Sequence, residues 1–430
     1  MSVPPKQEQD LDDDGDQQNS IGLDELEAAP PDQNADDAQV YRWTSLEERR
    51  SKDRSASHRA GSAPTPTKSR VWASFCIHSY LTLFSILGVL ARLGLVALTT
   101  YPGAPLSTTV VWANVAGSLV MGFLREEHML FRRHWKEALK ETREAVQISG
   151  SGYEGTQKEA TTKAYVARRS ANYAFIGLTV GFCGSLTSFA DIIRDALLAL
   201  FNDLNTAPIS SQVTEQLSAR RLPGYSALAV IAVVWIEVSM SLGALALGGH
   251  LGIATHRMTD CLPAVRLERV LSPIVVVVAL GAWLGAVLMA IWPPTDEWRG
   301  QAVLAVVFAP LGAMLRFHLA RQLNPKVASF PLGTFAANIG GTCILGMIWD
   351  LQHSQVARLI IPCQVLQGVG DGFCGALTTV STWVLELMSL RLKHAYIYGM
   401  TSLVIACACM LTIMGPLRWT TGFRVSACGS

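Results

Sequence analysis

Gly181-Phe182-Cys183-Gly184-Ser185-Leu186-Thr187-Ser188 and Gly372-Phe373-Cys374-Gly375-Ala376-Leu377-Thr378-Thr379 are the two stretches where this chain concentrates chemistry. Each lies inside an apolar run where regular helix is expected. Their glycines and hydroxyls make poor local helix. In lipid, a helix break survives only where other protein or a water-filled cavity satisfies the freed backbone groups. Two such breaks at corresponding places in two halves of a membrane protein point to a midplane site for an ion or small solute.

Polar groups in the neighbouring apolar runs extend this set. Asn114 and Asn338 stand beside small residues in otherwise apolar segments. Such an amide either donates from its NH₂ to a dehydrated anion or acts as glue between helices. Arg92 and Arg316 lie within or near the ends of apolar segments. An intramembrane arginine is costly and marks function by default; the bland alternative is snorkelling or pairing with a carbonyl at a helix end. We read both as part structural and part vestibule, where they raise the local anion concentration. Thr187, Ser188, Thr378, Thr379, Ser381 and Thr382 line a polar track, or satisfy their own backbone breaks, and the two roles are compatible. Glu237 interrupts Val233-Val234-Trp235-Ile236-Glu237-Val238-Ser239. A buried carboxylate there opposes anion passage unless it is protonated or paired. Asp195 and Glu386 occupy matched places and read as a vestibule edge.

These elements recur in order. Gly88-x-x-x-Arg92 returns as Gly312-x-x-x-Arg316, and Trp112-Ala113-Asn114-Val115-Ala116-Gly117-Ser118 as Ala336-Ala337-Asn338-Ile339-Gly340-Gly341-Thr342. Arg92 to Arg316, Asn114 to Asn338 and Gly122 to Gly346 are each 224 positions apart; the Gly-Phe-Cys-Gly elements are 191 apart. The first half therefore holds about 33 extra residues between its second and third apolar segments. A fixed repeat with one insertion marks an internal duplication.

Positioning these groups is work for membrane helices. The 430 residues are 50% hydrophobic and only 16% charged, with the charge gathered in a few segments, which places the chain among membrane proteins. A net charge of +1 argues for no nucleic-acid partner. Cysteines such as Cys183, Cys343, Cys363, Cys374, Cys407 and Cys409 fall in apolar runs and read as small hydrophobes rather than disulfide partners. Residues 1–70 are polar and read as a disordered cytosolic tail. Nine apolar segments follow, at roughly 72–99, 107–124, 172–200, 225–251, 270–292, 301–320, 330–349, 357–390 and 395–416. Each is long enough, or nearly so, for a hydrocarbon core that about 20 helical residues cross.

Lysines and arginines set the orientation. Those of the tail, the insert at about 125–170, the loop near 252–269 and the positions after segments six and eight all fall on one side if the N-terminus is cytosolic. Arg220, Arg221, Arg299 and Arg358 fall on the other and are fewer. Nine spans then put the C-terminus outside. With four spans per repeat and one extra between them, the second repeat enters from the opposite face, as inverted repeats do.

Gly-x-x-x-Arg in the first span, Asn-x-x-Gly in the second and Gly-Phe-Cys-Gly-x-x-Thr-Thr in the third, in order and twice, resemble the CrcB/Fluc/FEX family of fluoride channels. The resemblance covers roughly residues 75–250 and 300–416. It implies a central structural Na⁺ held by backbone carbonyls of Gly184, Thr187, Gly375 and Thr378. It favours the anion-pathway reading of Asn114 and Asn338. The family pattern continues Thr-Thr-Phe-Ser-Thr-Phe, with two pore aromatics. Here the first repeat reads Thr187-Ser188-Phe189-Ala190-Asp191-Ile192 and the second Thr378-Thr379-Val380-Ser381-Thr382-Trp383. Each repeat keeps one aromatic, and the positive ring edges of Phe189 and Trp383 suit an anion that has shed its water.

The expected architecture is an all-α integral membrane protein: two inverted four-helix repeats, nine spans, and a broken third helix in each repeat. Residues 1–70 form the tail, 71–252 the first repeat, 253–298 a linker with a central transmembrane helix, 299–417 the second repeat and 418–430 a C-terminal tail. The expected function is not enzymatic. It is a passive fluoride-selective channel of the plasma membrane that works as a monomer containing both repeats, with fluoride and the lipid bilayer as its partners. The rival is a proton-coupled anion or small-solute transporter with Glu237 as its carrier acid.

Overall fold

The computed structural model describes residues 67–101, 106, 108–125, 173–204, 223–255, 264–292, 302–353 and 360–423. The expectations for the polar tail, the insert at about 125–170 and most of the basic loops lie outside these residues.

Among the described residues the regular structure is all helical, and each of the nine apolar segments contains helix. In chain order these are α1 (Thr67–Thr99), α2 (Val111–Arg125), α3 (Tyr173–Ile176), α4 (Gly184–Leu186), α5 (Phe189–Phe201), α6 (Pro223–Ala254), α7 (Ala264–Ile291), α8 (Leu304–Leu323), α9 (Leu332–His353), α10 (Ile360–Gly368), α11 (Gly375–Leu377), α12 (Ser381–Ser389) and α13 (Leu392–Thr420). Seven helical stretches are long and apolar enough to cross a membrane; α2 is apolar but shorter.

The third and eighth apolar segments are broken, though not at their glycines. Gly184 and Gly375 keep right-handed helical backbone, with φ of −68° and −67°. Each follows a π-helical turn, Gly177–Cys183 in one half and Val369–Cys374 in the other. Such turns carry one extra residue and recur at functional sites. The chain leaves the helix three residues later, where Thr187 and Thr378 turn extended at ψ of 146° and 153°.

Packing fixes the relative directions of the helices. His78 of α1 meets His318 of α8, while Ile86, further along α1, shares a cluster with Val306, earlier in α8, so these two helices run antiparallel. α2 and α6 run parallel, because Asn114 meets Glu237 and, two turns on, Gly122 meets Leu245. At that second crossing the backbones approach closely. A side chain at Gly122 would strike the Leu245 carbonyl, and one at Gly248 the Leu119 carbonyl. Small residues allow this approach where lipid offers no hydrophobic drive for helix association. α7 is the least buried span candidate and leans on α1 and α8; Trp283 Nε1 donates to the Val307 carbonyl at 3.1 Å. Large apolar side chains such as Trp235, Val277 and Leu284 face outward.

One expectation fails here. Cys363 is disulfide-bonded. Its apolar neighbours had made it read as a small hydrophobe, and sequence position alone does not reveal which distant cysteine reaches it.

The glycine contacts give a test. Gly122→Leu should lower the thermal midpoint of the detergent-solubilised protein by several degrees, because the intruding side chain meets backbone. Gly281→Leu, where an added side chain meets nothing within 4 Å, should leave it unchanged.

Candidate functional site

The two breaks face each other in the core, and each is closed largely by the other half. Thr187 Oγ1 accepts from the backbone N–H groups of Val380 and Ser381, both at 3.2 Å. Thr378 Oγ1 in turn accepts from the N–H of Ala190 at 3.3 Å. Thus each threonine hydroxyl serves the first turn of the other half's helix, where orphan donors stand. Thr187 Oγ1 also lies 3.1 Å from Thr379 Oγ1 and 3.2 Å from Ser381 Oγ, and Ser188 Oγ lies 3.3 Å from Thr378 Oγ1. Thr187, Ser188, Thr378, Thr379 and Ser381 are all fully buried. Thr382 is half-buried beside them. These hydroxyls satisfy backbone donors of their own breaks, at Asp191 and Thr382, and also of the opposite half, at Val380, Ser381 and Ala190.

Both asparagines close a break as well. The N–H of Ser188 donates to Asn114 Oδ1 at 2.9 Å, and that of Thr379 to Asn338 Oδ1 at 2.8 Å. In unbroken helix these two N–H groups would return to the carbonyls of Gly184 and Gly375. Likewise the N–H of Asp191 turns to Ser188 Oγ and that of Thr382 to Thr379 Oγ1, away from the carbonyls of Thr187 and Thr378. All four carbonyls therefore lose the donor four residues on. They are hard oxygens, the ligand type that Na⁺ prefers.

The amide NH₂ groups differ between the halves. Asn114 Nδ2 donates to Glu237 Oε2 at 3.0 Å, whereas Asn338 Nδ2 donates to the Thr379 carbonyl at 3.2 Å. Glu237 is fully buried. Thr108 lies beside it, yet neither Thr108 Oγ1 nor Glu237 Oε1 has a hydrogen-bond partner among the described residues.

The two arginines cross over. Arg92 Nη2 donates to the Asp371 carbonyl, and Arg316 Nη2 to the Val180 carbonyl, so each reaches the π-helical turn of the opposite half. Both are 3% exposed, and Arg92 Nη1, Arg316 Nε and Arg316 Nη1 find no hydrogen-bond partner among the described residues. Their planes rest on the small glycines of the motif. An added Cβ at Gly375 would collide with the Arg92 guanidinium, and one at Gly184 with that of Arg316. This is why glycine stands at those two positions although the backbone there is ordinary helix.

Phe189 and Trp383 also come together from opposite halves. Their ring centroids are 5.3 Å apart, at 63° to each other, and both rings are buried. The Trp383 indole N–H has no hydrogen-bond partner among the described residues. Val380 and Ile192 are buried in the same apolar cluster.

Asp195 and Glu386 do not form a vestibule edge. Both are buried, and each holds the start of the second helix of its own half. Asp195 Oδ2 accepts from Thr109 N and Oγ1, at 2.8 and 2.9 Å. Glu386 accepts from Thr334 Oγ1 at 2.8 Å, and from Asn324, whose own oxygen takes the N–H groups of Gly333 and Thr334. Negative charge at a helix start is favourable. Asp195 and Glu386 are 191 positions apart, the offset of the two breaks, so the repeat marks them as equivalent, though not which threonine each one holds.

A helical membrane protein with two broken helices meeting in its core is the architecture in which ion channels and solute carriers place a midplane site. Residues 79–249 and 303–415 match the family described as CrcB-like protein, Camphor Resistance (CrcB), and the chain belongs to that family. It is 44% identical to Fluoride export protein 1 of Neurospora crassa, over 84% of this chain and 70% of that protein. It is 32% identical to Fluoride export protein 1 of Candida albicans, over 79% of each. A bacterial relative, Fluoride-specific ion channel FluC 1 of Staphylococcus epidermidis, is 37% identical over 24% of this chain and 86% of its own length. No solved structure matches the chain.

The reciprocal caps predict an asymmetric response at Thr187. Thr187→Val keeps the volume but strands two buried N–H groups, which should cost about 1–3 kcal/mol. Thr187→Ser restores the acceptor and should recover most of it. Thermal unfolding of both variants in detergent checks this.

Proposed function

We propose that this chain is a fluoride-selective passive channel that exports F⁻ across the plasma membrane. The observation that carries the reading is the meeting of Phe189 and Trp383, one from each half, beside a buried cluster of hydroxyls. Ring edges and an unpartnered indole N–H are donors without water, which is what a small, strongly hydrated anion needs in order to shed its shell. The family membership and the printed names of the fungal and bacterial relatives agree with it. Neutral HF crosses membranes and dissociates inside; a negative-inside potential then drives the trapped anion out, at about 2.3 kcal/mol per charge per 100 mV. Ser188, Thr379, Ser381 and Thr382 line the path with Asn114 and Asn338, and Arg92 and Arg316 supply positive potential at the breaks.

A structural Na⁺ belongs at the breaks in this reading. The carbonyls of Gly184, Thr187, Gly375 and Thr378, each deprived of its helical donor, would hold it. The ion would offset the dipoles that the two broken helices leave unpaired.

The same reading assigns nine spans as two inverted four-helix repeats, 71–252 and 299–417, joined through a linker at 253–298 that contains α7. One chain supplies both repeats and works as a monomer. The antiparallel run of α1 and α8 and the parallel run of α2 and α6 both agree with spans that alternate in direction. The N-terminus is cytosolic and the C-terminus extracellular. Tags at the two termini should label from opposite sides of intact cells; labelling from one side overturns the inverted arrangement.

A proton-coupled carrier would need Glu237 to take up and release protons during transport. Its link to Asn114 gives it a structural task instead. Glu237→Gln should therefore leave fluoride flux within about threefold of wild type in liposomes, where a carrier would stop.

Fluoride efflux from liposomes holding the pure protein, compared with chloride, tests the main reading. Phe189→Ile and Trp383→Ile should nearly abolish efflux. Trp383→Phe, which keeps the ring and deletes the N–H, should fall between. Val380→Ala and Ile192→Ala should do little. Comparable losses at all four positions would overturn a single pathway through the Phe189–Trp383 pair.

A further inference from the structure

Two histidines between α1 and α8 stand apart from the proposed pathway. His78 lies about three turns into α1, and His318 lies just before the last turn of α8. Their Nε2 atoms are 3.1 Å apart, and their ring centroids 5.3 Å apart with the planes tilted by 31°. His78 Nδ1 lies 2.6 Å from the Ser74 carbonyl. A carbonyl only accepts, so Nδ1 carries the ring proton. Nε2 of the neutral ring is then a bare lone pair aimed at His318.

This is how metal-binding histidines are held, with the far N–H anchored on a backbone carbonyl and the near nitrogen free. Two imidazole nitrogens, each about 2.0–2.1 Å from a tetrahedral Zn²⁺, stand roughly 3.3–3.4 Å from one another. The pair is within a few tenths of an ångström of that separation before any metal arrives.

We propose that His78 and His318 form a two-histidine site for a transition-metal dication of the Zn²⁺ type, which ties the first helix of one half to the first helix of the other. Without metal, the proton on His318 Nε2 bridges the two nitrogens. On binding, that proton moves to His318 Nδ1, and both Nε2 lone pairs go to the ion; no net proton is released from the neutral pair. Water completes the coordination, since no group of three or more His, Cys, Asp or Glu side chains converges among the described residues. Both rings are half-buried. Arg321 acts electrostatically on His318 and repels a cation, which makes the site one of modest affinity. Imidazole ligands select Zn²⁺ and its neighbours over Mg²⁺.

The test uses the full chain in detergent, with thermal unfolding followed in the presence of Zn²⁺ or Mg²⁺. Zn²⁺ should raise the midpoint of the wild type by several degrees through mass action, and Mg²⁺ should not. His78→Ala and His318→Ala should each abolish the Zn²⁺ shift; His78→Gln, which stays polar, serves if an alanine variant does not fold. Calorimetric titration should find one Zn²⁺ per chain that each variant loses. Equal Zn²⁺ shifts in wild type and variants would place the metal on thiols such as Cys343 or Cys409, and overturn the site. No shift in the wild type overturns it too. Neither outcome bears on fluoride flux, which is measured without Zn²⁺.

Discussion

The constraint on which the rest of this structure depends is that a helix broken inside lipid must find replacement partners for its backbone. Each unsatisfied group there costs several kcal/mol. This chain meets the demand by facing two breaks toward each other. Thr187 caps the start of α12, and Thr378 that of α5. Neither break is closed without the other, so neither half is complete alone. The asparagines follow from the same need. Their oxygens take the Ser188 and Thr379 N–H groups, and by doing so release the Gly184 and Gly375 carbonyls. Satisfying the donors of a break is therefore what exposes its acceptors.

The arginines and glycines form the second layer of this arrangement. A guanidinium that crosses to the opposite half needs a surface without a side chain to lie on. Gly375 supplies it for Arg92, and Gly184 for Arg316. The carbonyls of Asp371 and Val180, in the π-helical turns, receive the donors. One motif residue thus serves two ends: its carbonyl is freed at the break, and its missing Cβ admits the cation. A substitution at either glycine would displace an arginine that belongs to the other repeat.

Much of this was legible in the sequence, because it is periodic or repeated. The apolar segments appear as helix, seven of the described stretches being long and apolar enough to cross a membrane. The duplication is visible as constant offsets. The pairing of Phe189 with Trp383 follows once each repeat is seen to lack a different aromatic. What was not legible involves contacts between residues far apart in the chain, with no local pattern. Glu237 gives no sign in its own segment that Asn114 is its partner, and His78 none that it meets His318. The exact place of the breaks was also hidden. The glycines and hydroxyls mark the broken stretch as a whole, but packing keeps Gly184 and Gly375 helical and puts the departure at Thr187 and Thr378. Local propensity is a weak prior, and here the buried arginines outweigh it.

The scaffold is symmetric while its lining is not, and the difference follows a rule. Residues that close a break are matched across the halves: threonine with threonine, asparagine with asparagine, arginine with arginine. Residues that face into the space between the breaks are unmatched. Phe189 stands where the second half has Val380, and Trp383 where the first has Ile192. The Asn114 amide is engaged by a carboxylate, and the Asn338 amide by a backbone carbonyl. A change in a break-closing residue strands backbone groups in both halves at once, which holds those positions in pairs. Duplication within a single chain thus releases the lining from symmetry, which two identical copies related by an axis cannot do. The meeting of Phe189 and Trp383, one aromatic from each half, is what that release permits.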